Sequence, residues 1–138
     1  MPAIDLIHDI VKNALLKDGW TVTHDPLTLQ YEDDNVYVDL AAERPIAAQR
    51  NGQKIAVEIK TFAGRSPLHD FEGALGQYLV YLGILEILEP DRKLYLAIGE
   101  VVYRNLFQVG AIRAITERQH LSLLVVNLET EEVVQWIR

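Results

Sequence analysis

The chain has 138 residues, enough for one domain with its own core, and 49% hydrophobic with 24% charged residues excludes a disordered polypeptide. It has no cysteine, which excludes disulfides, zinc-thiolate centres and thiol nucleophiles and is compatible with a reducing, cytoplasmic setting. A formal net charge of −7 counts against a nonspecific nucleic-acid binder with the usual basic footprint, although acids that hold a metal in a nuclease would add to that total.

The opening MPAIDLIHDI has no basic stretch and no long apolar one, so no signal peptide is expected. Ile4, Ile7, Val11, Ala14 and Leu15 recur at helical spacing. Asp5 and Asp9 suit the N-terminal end of a helix dipole and Gly19 offers a C-cap, so a helix is predicted from Ile4 to Lys17. GWTVTHDPL reads as a strand ended by Asp25-Pro26. LTLQYEDDN fits either strand or loop, with a turn expected at Asp33-Asp34-Asn35. NVYVDLAAE predicts one strand, with Val36, Val38 and Leu40 on one face and Tyr37 and Asp39 on the other. PIAAQRNGQKIAVEIKTF predicts a hairpin whose turn is Asn51-Gly52.

After a loop at AGRSPL, with Ser66 as N-cap, Phe71, Leu75, Tyr78, Leu79, Leu82 and Leu85 predict a helix from Leu68 to Glu89, ended by Pro90. The longest apolar stretch, Tyr78 to Leu88, is too short to span a bilayer and holds Glu86, so no membrane association is expected. RKLYLAIG predicts a strand, VVYRNLFQVGAIRAITERQ a helix broken near Gly110, LSLLVVNL a central apolar strand and EEVVQWIR a last strand. A meander followed by crossover units points to a single α/β domain over residues 1–138, its mixed sheet covered by helices on both faces.

Within this pattern KIAVEIKTF raises a question. It is an apolar strand that carries Glu58 and Lys60 on one face, since strand residues two apart point the same way. An ion pair on a solvated face is the ordinary explanation of E-x-K. Asp39, at the end of the preceding strand, adds a second acid. A carboxylate within a sheet is costly unless paired or bound to a metal. Two carboxylates with a backbone carbonyl and waters suit Mg²⁺ or Mn²⁺. A lysine beside them could orient or deprotonate a water, or offset charge in a transition state.

The arrangement resembles the PD-(D/E)xK phosphodiesterase superfamily of restriction endonuclease-like folds, in which an Asp at a strand end is followed by a hairpin and (D/E)-x-K on the next strand. In VDLAAERPIAAQRNGQKIAVEIK, Asp39, Glu58 and Lys60 fill the three positions, and Val38 stands where the superfamily has proline. HDIVKNALLKDGWTVTHDPL, KIAVEIKTF, ALGQYLVYLGIL and the closing VVQWIR together resemble the XisH family, the cyanobacterial fdxN element excision controlling factors. The resemblance implies a restriction endonuclease-like α/β fold and a role in programmed DNA excision beside an XisI-family partner. It implies Asp39 and Glu58 as ligands of Mg²⁺ or Mn²⁺, Lys60 as the residue beside the attacking water, and DNA as substrate. A homodimer is expected on the ground that two sites cut two strands.

Four further residues are expected to support the site. Asp5 and His8 lie on the first helix, where the superfamily often carries an acid, and an exposed dipole-favourable helix start explains them equally well. Gln77 and Tyr81 are four apart on the long helix, where some superfamily nucleases place a glutamine and a tyrosine. Tyr78 and Tyr81 as core aromatics are the plainer alternative. A regulatory or DNA-positioning protein that keeps the nuclease fold without its chemistry is the competing functional reading, favoured by the acidic balance.

Overall fold

The computed structural model describes residues 4–46 and 49–138. The first helix, α1 (Ile4–Lys17), forms where its apolar periodicity predicts. Ile7, Ile10, Val11, Ala14 and Leu15 are buried against one face of the sheet, on Leu40, Ala42, Ile55, Val57 and Tyr95. Gly19, at φ +90, lets the chain leave the helix. Asp18 then accepts hydrogen bonds from the indole N–H groups of Trp20 at 3.2 Å and Trp136 at 3.3 Å. Arg44 lies 3.5 Å from the same carboxylate, its guanidinium 4.4 Å from the Trp20 ring centre. One acid thereby ties the end of α1 to both margins of the sheet.

The strands are β1 (Thr21–His24), β2 (Leu27–Tyr31), β3 (Asp34–Val38), β4 (Leu40–Ile46), β5 (Gln49–Ile59), β6 (Arg92–Gly99), β7 (Leu123–Asn127) and β8 (Glu132–Ile137). Six of them form a mixed sheet in the order β1-β4-β5-β6-β7-β8, while β2 and β3 make a separate antiparallel hairpin. The β5-β6 and β6-β7 pairs are parallel and the others antiparallel. Parallel neighbours need crossovers. These are supplied by α2 (Pro67–Leu88) and by α3 (Glu100–Leu106) with α4 (Gly110–Arg118). The face opposite α1 buries Phe71, Ala74, Tyr78 and Leu85 of α2 and Ile112 of α4 on Ala41, Ala56, Leu94, Leu96, Leu123 and Val125. Helices thus cover both faces of a mixed sheet, as the element order predicts, and the expected break near Gly110 separates α3 from α4. Ser66 caps α2 as expected, its hydroxyl accepting from the His69 N–H at 3.2 Å.

Several details differ from the sequence reading. The turn between β2 and β3 is Glu32-Asp33, with Glu32 at φ +52 and Tyr31 paired to Asp34, so Asp34 and Asn35 begin a strand. The β4-β5 ladder runs past Asn51-Gly52 to an Ile46–Gln49 pair, so the dipeptide lies inside β5. There three residues, 50–52, oppose Pro45 alone between the Arg44–Gln53 and Ile46–Gln49 pairs. Gly52 has φ +69, and a Cβ on it would meet the Arg44 carbonyl oxygen at 2.6 Å. The left-handed conformation that makes Asn-Gly a turn signal here serves a bulge. β7 is buried on both faces, yet it lies one strand in from the edge because β8 turns back beside it.

The expected single strand through Asp39 is broken at that residue. Val38 packs in the α2-side core and Leu40 in the α1-side core, so the two do not share a face. The long helix carries Asp70, Glu72 and Glu86, yet over its 22 residues it matches a bilayer-crossing segment by length and composition, which the run Tyr78 to Leu88 alone does not. One side of it packs on the sheet, while Leu79, Val80 and Ile87 are exposed.

Candidate functional site

The break at Asp39 builds the site. Beyond the Leu40–Val57 pair the chain bends away from β5 into the hairpin, and the β4-β5 ladder stops. Past that point the Ile59 N–H donates to the Asp39 carboxylate (Oδ2) at 2.8 Å. The Asp39 N–H in turn donates to Glu58 Oε1 at 3.2 Å. On the other side of β5 the Lys60 N–H donates to the Ala97 carbonyl at 3.0 Å. Two side chains thus continue the ladder where backbone no longer can. Each carboxylate commits one oxygen to a backbone N–H. Of the remaining pair, Glu58 Oε2 lies 3.7 Å from Lys60 Nζ.

A solvated strand face does not describe this pair, because Glu58 is only 7% exposed. Burial pushes its carboxyl up to about 7, with the charge of Asp39 adding to the rise and that of Lys60 opposing it. Both acids open on a cavity of about 320 Å³ lined by His8, Asp39, Glu58, Ile59, Lys60 and Thr61.

The expected residues divide. Asp39, Glu58 and Lys60 come together, and His8 lines the same cavity. His8 also has a partner of its own. Its Nε2 is 2.7 Å from Asp25 Oδ1, and Lys12 Nζ is 2.8 Å from Asp25 Oδ2. The hydrogen bond from Lys12 holds the Asp25 carboxyl below its ordinary range. Asp5 lies on α1, but its side chain is outside the described residues. Gln77 lines a neighbouring cavity of about 430 Å³, which it shares with Lys60, Phe62 and Asp70. Tyr81 is half-buried, and its phenol is pushed up first by burial and then by the charges of Glu58 and Asp39. Tyr78 proves to be a core aromatic, its hydroxyl accepting from the Ser122 N–H at 3.2 Å.

Among the described residues, no three His, Asp or Glu side chains gather as a metal cluster. The donor set is therefore two carboxylates, with one oxygen left on each. That suits a hard cation such as Mg²⁺, which keeps several waters and takes one or two protein carboxylates. The lifted Glu58 carboxyl fits the same description, because burial and the adjacent Asp39 charge outweigh the single countercharge of Lys60, and such an ion would add positive charge.

Two features beside the site escaped the sequence reading. Asp25 looked only like the end of a strand, since the topology that brings it to His8 is not local. Phe62 adopts φ +56, a left-handed backbone that a bulky residue rarely takes. Its ring meets Phe107 edge-on at 5.3 Å, and Phe107 meets Phe71 at 5.9 Å. No local signal marks that turn.

A sequence model of the XisH family, described as XisH protein, matches residues 1–134. The chain belongs to the XisH family. Two solved structures resemble this XisH-family chain over 97% of its length. A crystallised XisH family protein from Nostoc punctiforme PCC 73102 is 38% identical, with a TM-score of 0.88 and all of its own chain covered. A fdxN element excision controlling factor protein from Anabaena variabilis is 41% identical, with a TM-score of 0.86 and 99% of its chain covered. No curated protein matches the chain. The family expected from the sequence is therefore the family found.

Proposed function

We propose that this XisH-family chain acts in the excision of a DNA element, as the name of its Anabaena variabilis relative says of that protein, and that it does so as a metal-dependent phosphodiesterase of the PD-(D/E)xK type. The observation that carries this reading is the clasp of half-buried Asp39 and buried Glu58, opening on one cavity with the Lys60 ammonium. Asp39 and Glu58 would hold Mg²⁺ or Mn²⁺ through their remaining oxygens. Such an ion supplies positive charge against the phosphodiester and makes water a better nucleophile. Lys60 presents three N–H donors from a strand end fixed by Ala97, placed to orient that water or to offset charge gathering on the phosphate. The reciprocal amide bonds hold both carboxylates in place before any ligand arrives. His8, pinned by Asp25, is placed to bind or orient a group at the cavity mouth.

A second reading, a regulatory or DNA-positioning protein acting through an XisI-family partner, is favoured by the net charge of −7, which gives no broad electrostatic grip on DNA. One experiment separates the two. The purified protein, alone and with its partner, is incubated with plasmid and branched DNA in Mg²⁺ or Mn²⁺, beside Lys60→Ala and Asp39→Asn. Cleavage that both substitutions abolish supports the phosphodiesterase. No cleavage and no metal binding in any preparation leaves the regulatory reading.

A further inference from the structure

A third cavity, of about 450 Å³, shares Lys60 and Thr61 with the carboxylate cavity. Its volume is in the range of small-ligand pockets. It opens at the carboxyl ends of the three parallel strands, where Lys60 follows β5, Gly99 ends β6 and Asn127 ends β7. Ligands of parallel α/β sheets gather at such strand ends.

Its walls are largely apolar, with Ile7 from α1, Val101 and Val102 from α3, and Leu128, which packs against Gly99 so closely that a Cβ there would sit 3.0 Å from it. Val101 is 59% exposed, an apolar side chain left open where a ligand could cover it. The charges on the lining cancel, since Lys60 and Arg104 are matched by Glu100 and Glu129. An anion is a poor fit to that set. A neutral group with apolar faces and a hydrogen-bonding edge is a good one. Asn127 uses its side-chain oxygen to accept from the N–H groups of Glu129 at 2.9 Å and Thr130 at 3.1 Å, which fixes the amide and leaves its NH₂ to donate to a ligand.

In nucleic acid the part with apolar faces and a polar edge is the base, and it arrives attached to a phosphate. We infer that this cavity seats one unpaired nucleobase while the adjoining phosphodiester lies at Lys60 and the two carboxylates. The inference rests on the phosphodiesterase reading and narrows its substrate to DNA with an unpaired nucleotide beside the cut, because a stacked and paired base cannot enter such a pocket. It also accounts for DNA recognition by an acidic chain: one seated base supplies a grip that a broad basic surface otherwise would.

The test uses the full chain with 2-aminopurine placed in a single strand, at the fork of a branched duplex, and inside a blunt duplex, all in Ca²⁺. Two variants, Val101→Trp to fill the cavity and Val101→Glu to add an anion at its mouth, are measured beside it, with Mn²⁺ binding and thermal melting as controls. The single strand and the fork are expected to bind at least about tenfold more tightly than the blunt duplex, since the duplex must first unpair a base. Both variants are expected to erase that preference and the 2-aminopurine signal while Mn²⁺ binding and melting stay unchanged. Equal affinity for all three DNAs, or a preference untouched by both variants, overturns the inference, and if plasmid cleavage persists the phosphodiesterase reading survives it. A protein that binds no Mn²⁺ and cuts nothing, yet still prefers the fork in a Val101-dependent way, loses the phosphodiesterase and keeps the base seat.

Discussion

Glu58→Gln is expected to make the metal-free protein more stable at neutral and alkaline pH. Burial raises the Glu58 carboxyl to about 7 in the folded chain from an ordinary 4.5, so the native state holds its proton more tightly than the unfolded one. Below the unfolded value both states are protonated, and the residue contributes nothing to the pH dependence. As pH rises from there towards 7 the unfolded state ionises first, and stability falls. Above 7 both are ionised and the loss is complete. A difference of this size corresponds to about 3 kcal/mol at full ionisation. The side chain is 9% exposed, so little solvent screening reduces that figure. Glutamine keeps an oxygen for the Asp39 N–H and never ionises. The difference in melting temperature between Glu58→Gln and the native protein should be small at pH 4.5 and reach roughly 10 °C by pH 8 in a chain of this size. Calorimetry in EDTA across that range measures it. Parallel melting curves for the two proteins would refute the reasoning, because Glu58 would then titrate as an ordinary surface carboxylate.

If Asp39 and Glu58 hold Mn²⁺ as proposed, the same carboxyl should make that binding pH-dependent: affinity should rise about tenfold per pH unit below 7 and level off above it, with close to one proton released per ion, read by calorimetry in buffers of different ionisation enthalpy. Asp18→Ala leaves the Trp20 and Trp136 indole N–H groups without their shared acceptor, and is expected to cost about 1–3 kcal/mol in urea unfolding followed by tryptophan fluorescence. Gly52→Ala should destabilise by more than about 1 kcal/mol, since its left-handed backbone and the nearby Arg44 carbonyl both resist a Cβ; denaturant midpoints decide it. Ser66→Ala should cost about 1 kcal/mol through the lost cap of α2, measured in the same way.

Where a local rule had a single physical outcome, the sequence was readable. The stripe from Ile7 to Leu15 has one way to bury itself, and α1 follows it. Gly110 interrupts a helical pattern, and the chain breaks there into α3 and α4. Where a residue type serves two geometries, the reading went astray. Asn51-Gly52 supplies a positive φ that fits a turn or a bulge, and only the opposing Pro45, which has no N–H to offer a ladder, distinguishes them. Asp39 kept the alternation of a strand in its neighbours, but its carboxylate takes the Ile59 N–H and lets the backbone turn away. That Asp39, Glu58 and Lys60 would face one cavity was legible because Glu58 and Lys60 lie two apart at the end of β5 and Asp39 sits on the adjoining chain. The partnership of His8 with Asp25, and the meeting of cavities at Lys60, depend on packing between elements distant in sequence.

The left-handed turn at Phe62 bears on how Lys60 is delivered. A lysine has a long stem and a high entropic cost of ordering. Here the backbone is gripped just before and just after it, by the Ala97 carbonyl on one side and on the other by the Phe62 ring wedged onto Phe107. The ammonium therefore swings from a short, fixed mounting, like a boom on a braced mast. Its sweep covers the carboxylates and the mouths of two further cavities. A loosened mounting would leave the charge in place yet blunt its aim, so a fault at Phe62 would look like a weakened Lys60 while every polar group stayed intact.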